Sequence, residues 1–167
     1  MGKMASSAQI ILIDGPAGSG KTTLSLKLQA ELQCDVIHLD SIYNGWDDAL
    51  TNTLTSKLCS LIESFLSNQP FTLPIYNWST GKFDSERLIM PSKSLIIEGV
   101  GAGQSAIRAF ATTLYWVEVD DEIGMQRVLD RDGDAIADAM KIWKLREAEH
   151  FAKERTREFA DFIISTA

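Results

Sequence analysis

The apolar positions of this chain follow two alternating rhythms. Short unbroken apolar runs occur at Gln9-Ile10-Ile11-Leu12-Ile13-Asp14, Val36-Ile37-His38-Leu39, Ser94-Leu95-Ile96-Ile97, Leu114-Tyr115-Trp116-Val117-Glu118-Val119 and Asp161-Phe162-Ile163-Ile164. Runs of this length predict short strands buried in a sheet. Between them the apolar residues recur at three- and four-residue steps. Leu24, Leu28 and Leu32 predict a helix over about 21–32, and Leu50, Leu54, Leu58, Leu61 and Phe65 predict a longer one over about 47–67. Further helices are expected over 104–110 and from Asp121 to about Leu129. Beyond a break at Asp132-Gly133-Asp134, another is expected to run to about Phe159. Residues 68–93 hold three of the four prolines and keep no period, so they read as a long loop with at most a short helical turn.

Strands alternating with helices in this way specify an α/β fold, a parallel sheet with helices on both faces. Ligands of such sheets bind outside the carboxyl ends of the strands. Here those ends carry Asp14-Gly15, Asp40-Ser41, Glu98-Gly99 and Asp120-Asp121. Asp14, Asp40 and Glu98 therefore crowd one rim.

The first strand runs into Gly15-Pro16-Ala17-Gly18-Ser19-Gly20-Lys21-Thr22, a G-x-x-x-x-G-K-[ST] phosphate loop with a strand before it and a helix after it. Glycines let successive backbone N–H groups curl around phosphate oxygens, and the helix N-terminus adds unpaired N–H groups and a positive dipole end. ATP contacts are accordingly expected from Gly15, Ala17, Gly18, Ser19, Gly20, Lys21, Thr22 and Thr23. Lys21 is placed on the β- and γ-phosphates and the Thr22 hydroxyl on Mg²⁺.

A length of 167 residues fits one domain, with residues 1–8 as a disordered leader and 121–158 including a lid. The formal charge of −7 argues against a nucleic-acid polymer as partner, because that role needs a basic face. It also requires positive charge to be concentrated locally if a polyanion such as ATP binds. No stretch approaches the roughly 18 apolar residues of a membrane span, and no signal peptide is present, so a cytoplasmic protein is expected. The start Met1-Gly2-Lys3-Met4-Ala5-Ser6 fits only the loose myristoylation pattern. Cys34 and Cys59 lack metal or redox spacing, and Cys59 sits in an apolar stripe as a buried, reduced thiol.

Phosphoryl transfer to a hydroxyl needs positioning, charge neutralisation and a group that takes the hydroxyl proton. Asp40, one strand away from the phosphate loop, suits that last task; its alternative use is to cap the following turn. Glu98 ends its strand as an acid that can hold Mg²⁺, or else as a carboxylate satisfied by loop N–H groups. Arg127 and Arg131 lie four apart on one helix face. Arg131, and Arg146 beyond the break, either neutralise the transferring phosphoryl group from a lid or form a solvated face with Asp130, Glu147 and Glu149. Tyr43, Trp46, Tyr76 and Trp78 either line an acceptor pocket or pack back onto the core. His38 and His150 lack partners at ligand spacing and read as neither metal ligands nor catalytic bases.

Several segments together resemble the uridine kinase family of phosphate-loop nucleoside kinases, along nearly the whole chain. They are Gly15–Thr22, Asp40-Ser41-Ile42-Tyr43, Pro74-Ile75-Tyr76-Asn77-Trp78, Ile97-Glu98-Gly99, Arg127-Val128-Leu129-Asp130-Arg131-Asp132 and Phe159-Ala160-Asp161-Phe162-Ile163-Ile164. The resemblance implies a three-layer kinase fold whose five parallel strands lie in the order 2-3-1-4-5, with a helical lid. It implies ATP and Mg²⁺ as cofactors. Asp40 becomes the base for a ribose 5′-hydroxyl, with Lys21 and Arg131 as its catalytic companions. Tyr43, Tyr76 and Trp78 fall at the nucleoside, Arg127 at the ATP, and Thr22 with Glu98 at the metal. Two departures touch the substrate: Asn77 stands where the family has an Asp, and Thr80-Gly81-Lys82 replaces its His-x-Arg.

A Mg-ATP phosphotransferase acting on uridine or cytidine is thus the first expectation, with a small-molecule acceptor as partner. The alternatives are a kinase of another small metabolite or a nucleoside monophosphate, and a nucleotide-binding regulatory protein without kinase activity. A monophosphate needs a basic pocket near Asp40, and residues 40–90 offer only Lys57, Lys82 and Arg87.

Overall fold

A computed structural model describes residues 8–166. The expected leader therefore lies outside the described residues except for Ala8, which packs against the core. The five apolar runs form one parallel sheet. Its strands are β1 (Gln9–Asp14), β2 (Asp35–His38), β5 (Ser94–Glu98), β6 (Thr113–Glu118) and β7 (Phe162–Ser165), in the order β2-β5-β1-β6-β7. Counting these five alone gives 2-3-1-4-5, as expected. β1 is central, pairing Gln9 with Ser94 of β5 and Ile11 with Thr113 of β6.

Both faces of β1 are covered, which explains its lack of alternation. Ile10 and Leu12 face one core cluster and Ile11 and Ile13 the other. The helix α1 (Lys21–Leu32) covers the second through half-buried Leu24 and Leu28, while Leu32 stays exposed. On the opposite face α2 (Asn52–Leu66) buries Leu54, Leu58, Leu61, Ile62 and Phe65. Fully burying side chains of this size contributes about 1.5–3 kcal/mol each. α2 starts five residues later than its periodicity predicts. Thr51 caps it in extended conformation, accepting the Thr53 N–H, and Asp48 is tied to Thr51 and Asn44 in the preceding turn. Leu50 still packs on the core from outside the helix. Cys59 is half-buried rather than buried, and both thiols are free.

The expected loop over 68–93 is instead an antiparallel hairpin of β3 (Phe71–Asn77) and β4 (Lys82–Ile89). Only Leu73 and Ile89 within it are fully buried, so no period shows in the sequence. Pro74 is tolerated because a two-stranded ribbon has a free edge on each strand. The Asn77 side chain accepts the N–H groups of Ser79 and Thr80, and the Gly81 N–H closes on the Asn77 carbonyl at 2.8 Å.

A one-turn helix α3 (Ser105–Arg108) precedes β6. α4 (Asp121–Asp132) runs a few residues further than expected and ends at Gly133 with φ +89. The last predicted helix is two: α5 (Ala137–Glu154) stops at Arg155, φ +53, and α6 (Thr156–Phe159) follows. No helix among the described residues is long and apolar enough to cross a membrane.

Candidate active site

β1 delivers Asp14, fully buried, to the base of the phosphate loop. Its carboxylate accepts the N–H groups of Gly15 (2.7 Å), Gly101 (3.2 Å) and Gly103 (2.8 Å), joining that loop to the one after β5. Burial raises its pKa to about 6 against the pull of these N–H groups and Lys21. Beyond Asp14 the loop is pressed between strand and helix. A Cβ on Gly15 would lie 1.9 Å from the Val117 carbonyl oxygen and one on Gly18 2.1 Å from that of Gly124 in α4, so neither position admits a side chain.

Lys21 is buried, not solvent-facing, and its ammonium donates to the Pro16 carbonyl at 2.8 Å. Burial lowers its pKa, and Glu98, Asp14 and Glu147 oppose the shift. The Ser19 hydroxyl is buried without a hydrogen-bond partner, as expected of a loop built to receive oxygen-rich anions. The Thr22 hydroxyl lies 3.4 Å from Glu98, which is 4 % exposed. Two hard oxygen donors beside a phosphate cradle fit Mg²⁺, which keeps most of its waters.

His38, set aside by sequence reasoning, ends β2 with Nδ1 2.6 Å from a Glu98 oxygen; this contact raises the His38 pKa. The pairing of His38 with Glu98 in adjacent parallel strands carries the contact. Only the strand order could have revealed it beforehand.

Asp40, exposed at the surface, lies in the 3₁₀ turn Leu39–Ser41 after β2. Loss of surrounding water and then Glu98 raise its carboxyl pKa, while His38 and Arg131 pull it down. The Trp78 indole N–H donates to the Asp40 carbonyl at 2.8 Å, pinning the hairpin tip to this turn. Trp78 stands edge-on to Tyr76 (5.0 Å) and Trp46 (5.3 Å), and Trp46 to Trp143 of α5 (6.1 Å). Tyr76 and Trp78 thus join an aromatic wall beside Asp40. Tyr43 does not: it is buried against Trp143, and its hydroxyl donates to the Val100 carbonyl.

The arginines separate by task. Arg127 donates to the Gly18 carbonyl (3.1 Å) and the Thr166 hydroxyl (3.0 Å), against the phosphate loop. Arg131 is exposed at the end of α4, paired through two nitrogens with Asp132 and within electrostatic reach of Asp40 and Glu98. Arg146 holds the Trp46 carbonyl (2.9 Å) and Asp47 (3.2 Å), so it braces the aromatic loop rather than the phosphate loop. α5 also brings Glu147 to the Ala17 N–H at 3.0 Å, a contact absent from the sequence reading.

The chain spans 39% of tRNA dimethylallyltransferase 2 of Hahella chejuensis, with 28% identity over 140 residues, or 79% of this chain. A possible uridine kinase from Bacillus stearothermophilus superposes with a TM-score of 0.66 at 22% identity, covering 98% of this chain and 91% of that one. Shikimate kinase from Bacteroides thetaiotaomicron gives 0.53 at 16% identity, with 94% and 86% covered. A family model described as an AAA domain matches residues 11–151, from the middle of β1 to near the end of α5. That span is most of the chain, so the chain belongs to this AAA-domain family, with the fold of the phosphate-loop kinases.

Proposed function

We propose that this protein transfers the γ-phosphoryl group of Mg-ATP to a hydroxyl of a small neutral acceptor, a nucleoside such as uridine or cytidine first. The observation that carries the reading is the Asp40 turn, which ends β2 on the same sheet rim as the phosphate loop and is held through its backbone carbonyl by Trp78 of the aromatic wall. The acceptor oxygen bonds to the γ-phosphorus as the bond to the bridging oxygen breaks, and ADP leaves with the electron pair. Asp40 takes the hydroxyl proton. Lys21 neutralises charge on the transferring group, and Arg127 holds the loop. Thr22 and Glu98 would hold Mg²⁺, which would supply further neutralisation of phosphate charge.

A neutral acceptor is favoured because the cations nearest the aromatic wall are already engaged, leaving only Lys82, exposed beside the hairpin turn, of the three expected within residues 40–90. Lys57 donates to the Ile42 carbonyl and lies 4.1 Å over the Phe83 ring, Arg87 pairs with Asp35, and Arg146 holds Asp47. A monophosphate would find neither the Lys57 ammonium nor either guanidinium free. The Asn77 side chain is likewise occupied within its own turn, so base selection falls to the aromatic wall.

A coupled ADP-release screen over nucleosides, nucleoside monophosphates and small polyols tests this. Turnover with a neutral nucleoside is expected. ATP turnover that no acceptor stimulates would leave a nucleotide-binding regulatory protein. Arg131 supplies a second check, because its exposed guanidinium, at the end of α4, would exchange Asp132 for the phosphates. Arg131→Ala should lower kcat about a thousandfold, the low end for such an arginine. A raised ATP KM with unchanged kcat would restrict Arg131 to ground-state binding.

A further inference from the structure

Glu147 is 3 % exposed on a helix whose apolar Ile142 and Leu145 face outward. A buried carboxylate persists only when its oxygens are bonded. One oxygen of Glu147 accepts both the Ala17 N–H (3.0 Å) and the Trp143 indole N–H (3.1 Å), and the other accepts from the Lys144 ammonium. Lys144 also lies 3.5 Å from Asp121 at the start of α4.

The phosphate loop spans the two faces of the sheet. Its far end enters α1, which covers Ile11 and Ile13, whereas Ala17 packs with the opposite cluster, where Trp143 of α5 lies. Ala17 is therefore where the loop leans toward α5, and its N–H is spent on Glu147. Gly15, Gly18 and Gly20 all hold positive φ, and glycine loses more freedom on ordering than any other residue. Contacts from outside the loop must offset that loss. Arg127 supplies one charge-assisted bond, to the Gly18 carbonyl, and Glu147 supplies another.

We propose that Glu147 is a positioning residue for the phosphate loop. By accepting the Ala17 N–H, it fixes the curvature of the loop, whose Ser19 N–H closes on the Pro16 carbonyl at 3.2 Å, and so sets where the N–H groups of Gly18, Gly20, Lys21 and Thr22 meet the phosphates. This rests on the reading of the loop as the ATP site. The lid-side helix thereby preorganises nucleotide binding without touching the nucleotide.

Two variants of the full chain separate the hydrogen bond from general packing. Glu147→Gln keeps an acceptor oxygen for Ala17 and Trp143, and Lys144 retains Asp121. Glu147→Met fills the space and accepts nothing. MgADP is titrated into each folded protein without acceptor, and exchange of the Ala17 amide is followed by NMR. Glu147→Met should raise the MgADP Kd about tenfold and lose Ala17 protection, the scale of one charge-assisted bond. Glu147→Gln should stay within about threefold of wild type and keep that protection. An unprotected Ala17 amide in the wild type overturns the proposal, even if Glu147→Met fails to fold. So does a folded Glu147→Met with wild-type Kd, or a Glu147→Gln as weak as Glu147→Met. A wild type with a protected Ala17 amide that binds no MgADP would instead overturn the ATP-site reading.

Discussion

Lys21→Ala is expected to lower phosphoryl transfer by about a thousandfold or more while the chain still folds. In the proposed reaction the ammonium neutralises charge on the transferring group, and a preorganised donor in such a site is worth about 10²–10³ in rate by itself. Stability will not be untouched, because Lys21 is buried among three acids, Glu98, Asp14 and Glu147. Removing the cation withdraws one of the influences holding the Asp14 pKa down to about 6. A carboxyl whose folded pKa lies above its unfolded value, here 3.8, stabilises the fold fully below the unfolded pKa. That contribution is lost as pH rises through the folded pKa. In the wild type the loss falls between about pH 4 and 6. In Lys21→Ala it should extend upward, so Tm falls more at pH 8 than at pH 5. A folded variant with near wild-type turnover would refute the assignment of the loop to catalysis.

Asp40→Asn is the second large effect, a fall of about 10²–10⁴ in transfer, the range for loss of a general base. The substitution preserves size, and Trp78 grips the backbone carbonyl rather than the side chain, so the hairpin tip should stay in place. MgADP binding should match wild type, because the phosphate loop does not involve Asp40. The raised Asp40 pKa also sets a direction for the pH profile. Activity should fall with acid from a limb above the ordinary carboxylate value, and that limb should vanish from the residual activity of Asp40→Asn. Full transfer by this variant would reduce Asp40 to a turn residue.

The sheet was legible because its strands are buried on both faces and write themselves as unbroken apolar runs. The phosphate loop, Asp40 and Glu98 followed from strand ends. The hairpin was hidden by its exposure: with Leu73 and Ile89 alone fully buried, Phe71 to Ile89 carries no alternation to read. α5 misleads in the opposite sense. Leu145 is exposed and Glu147 buried, because the Ala17 N–H, Trp143 and Lys144 satisfy the charge. His38 escaped for a related reason, since its partner Glu98 lies across a strand pair far apart in sequence. The aromatic residues were visible as a group. Only packing divided Tyr43, whose hydroxyl is spent inside the core, from Tyr76 and Trp78 at the rim.

The central position of β1 has a consequence for how the chain assembles as it leaves the ribosome. β1 is made first, yet its partners are β5 and β6, and Asp14 waits for Gly101 and Gly103. The β3–β4 hairpin closes through neighbours, Asn77 against Lys82, and forms long before the sheet does. The nucleotide loop is thus synthesised before the strands and loop that order it. Acquisition of nucleotide affinity during synthesis would mark the moment at which the sheet closes around its oldest strand.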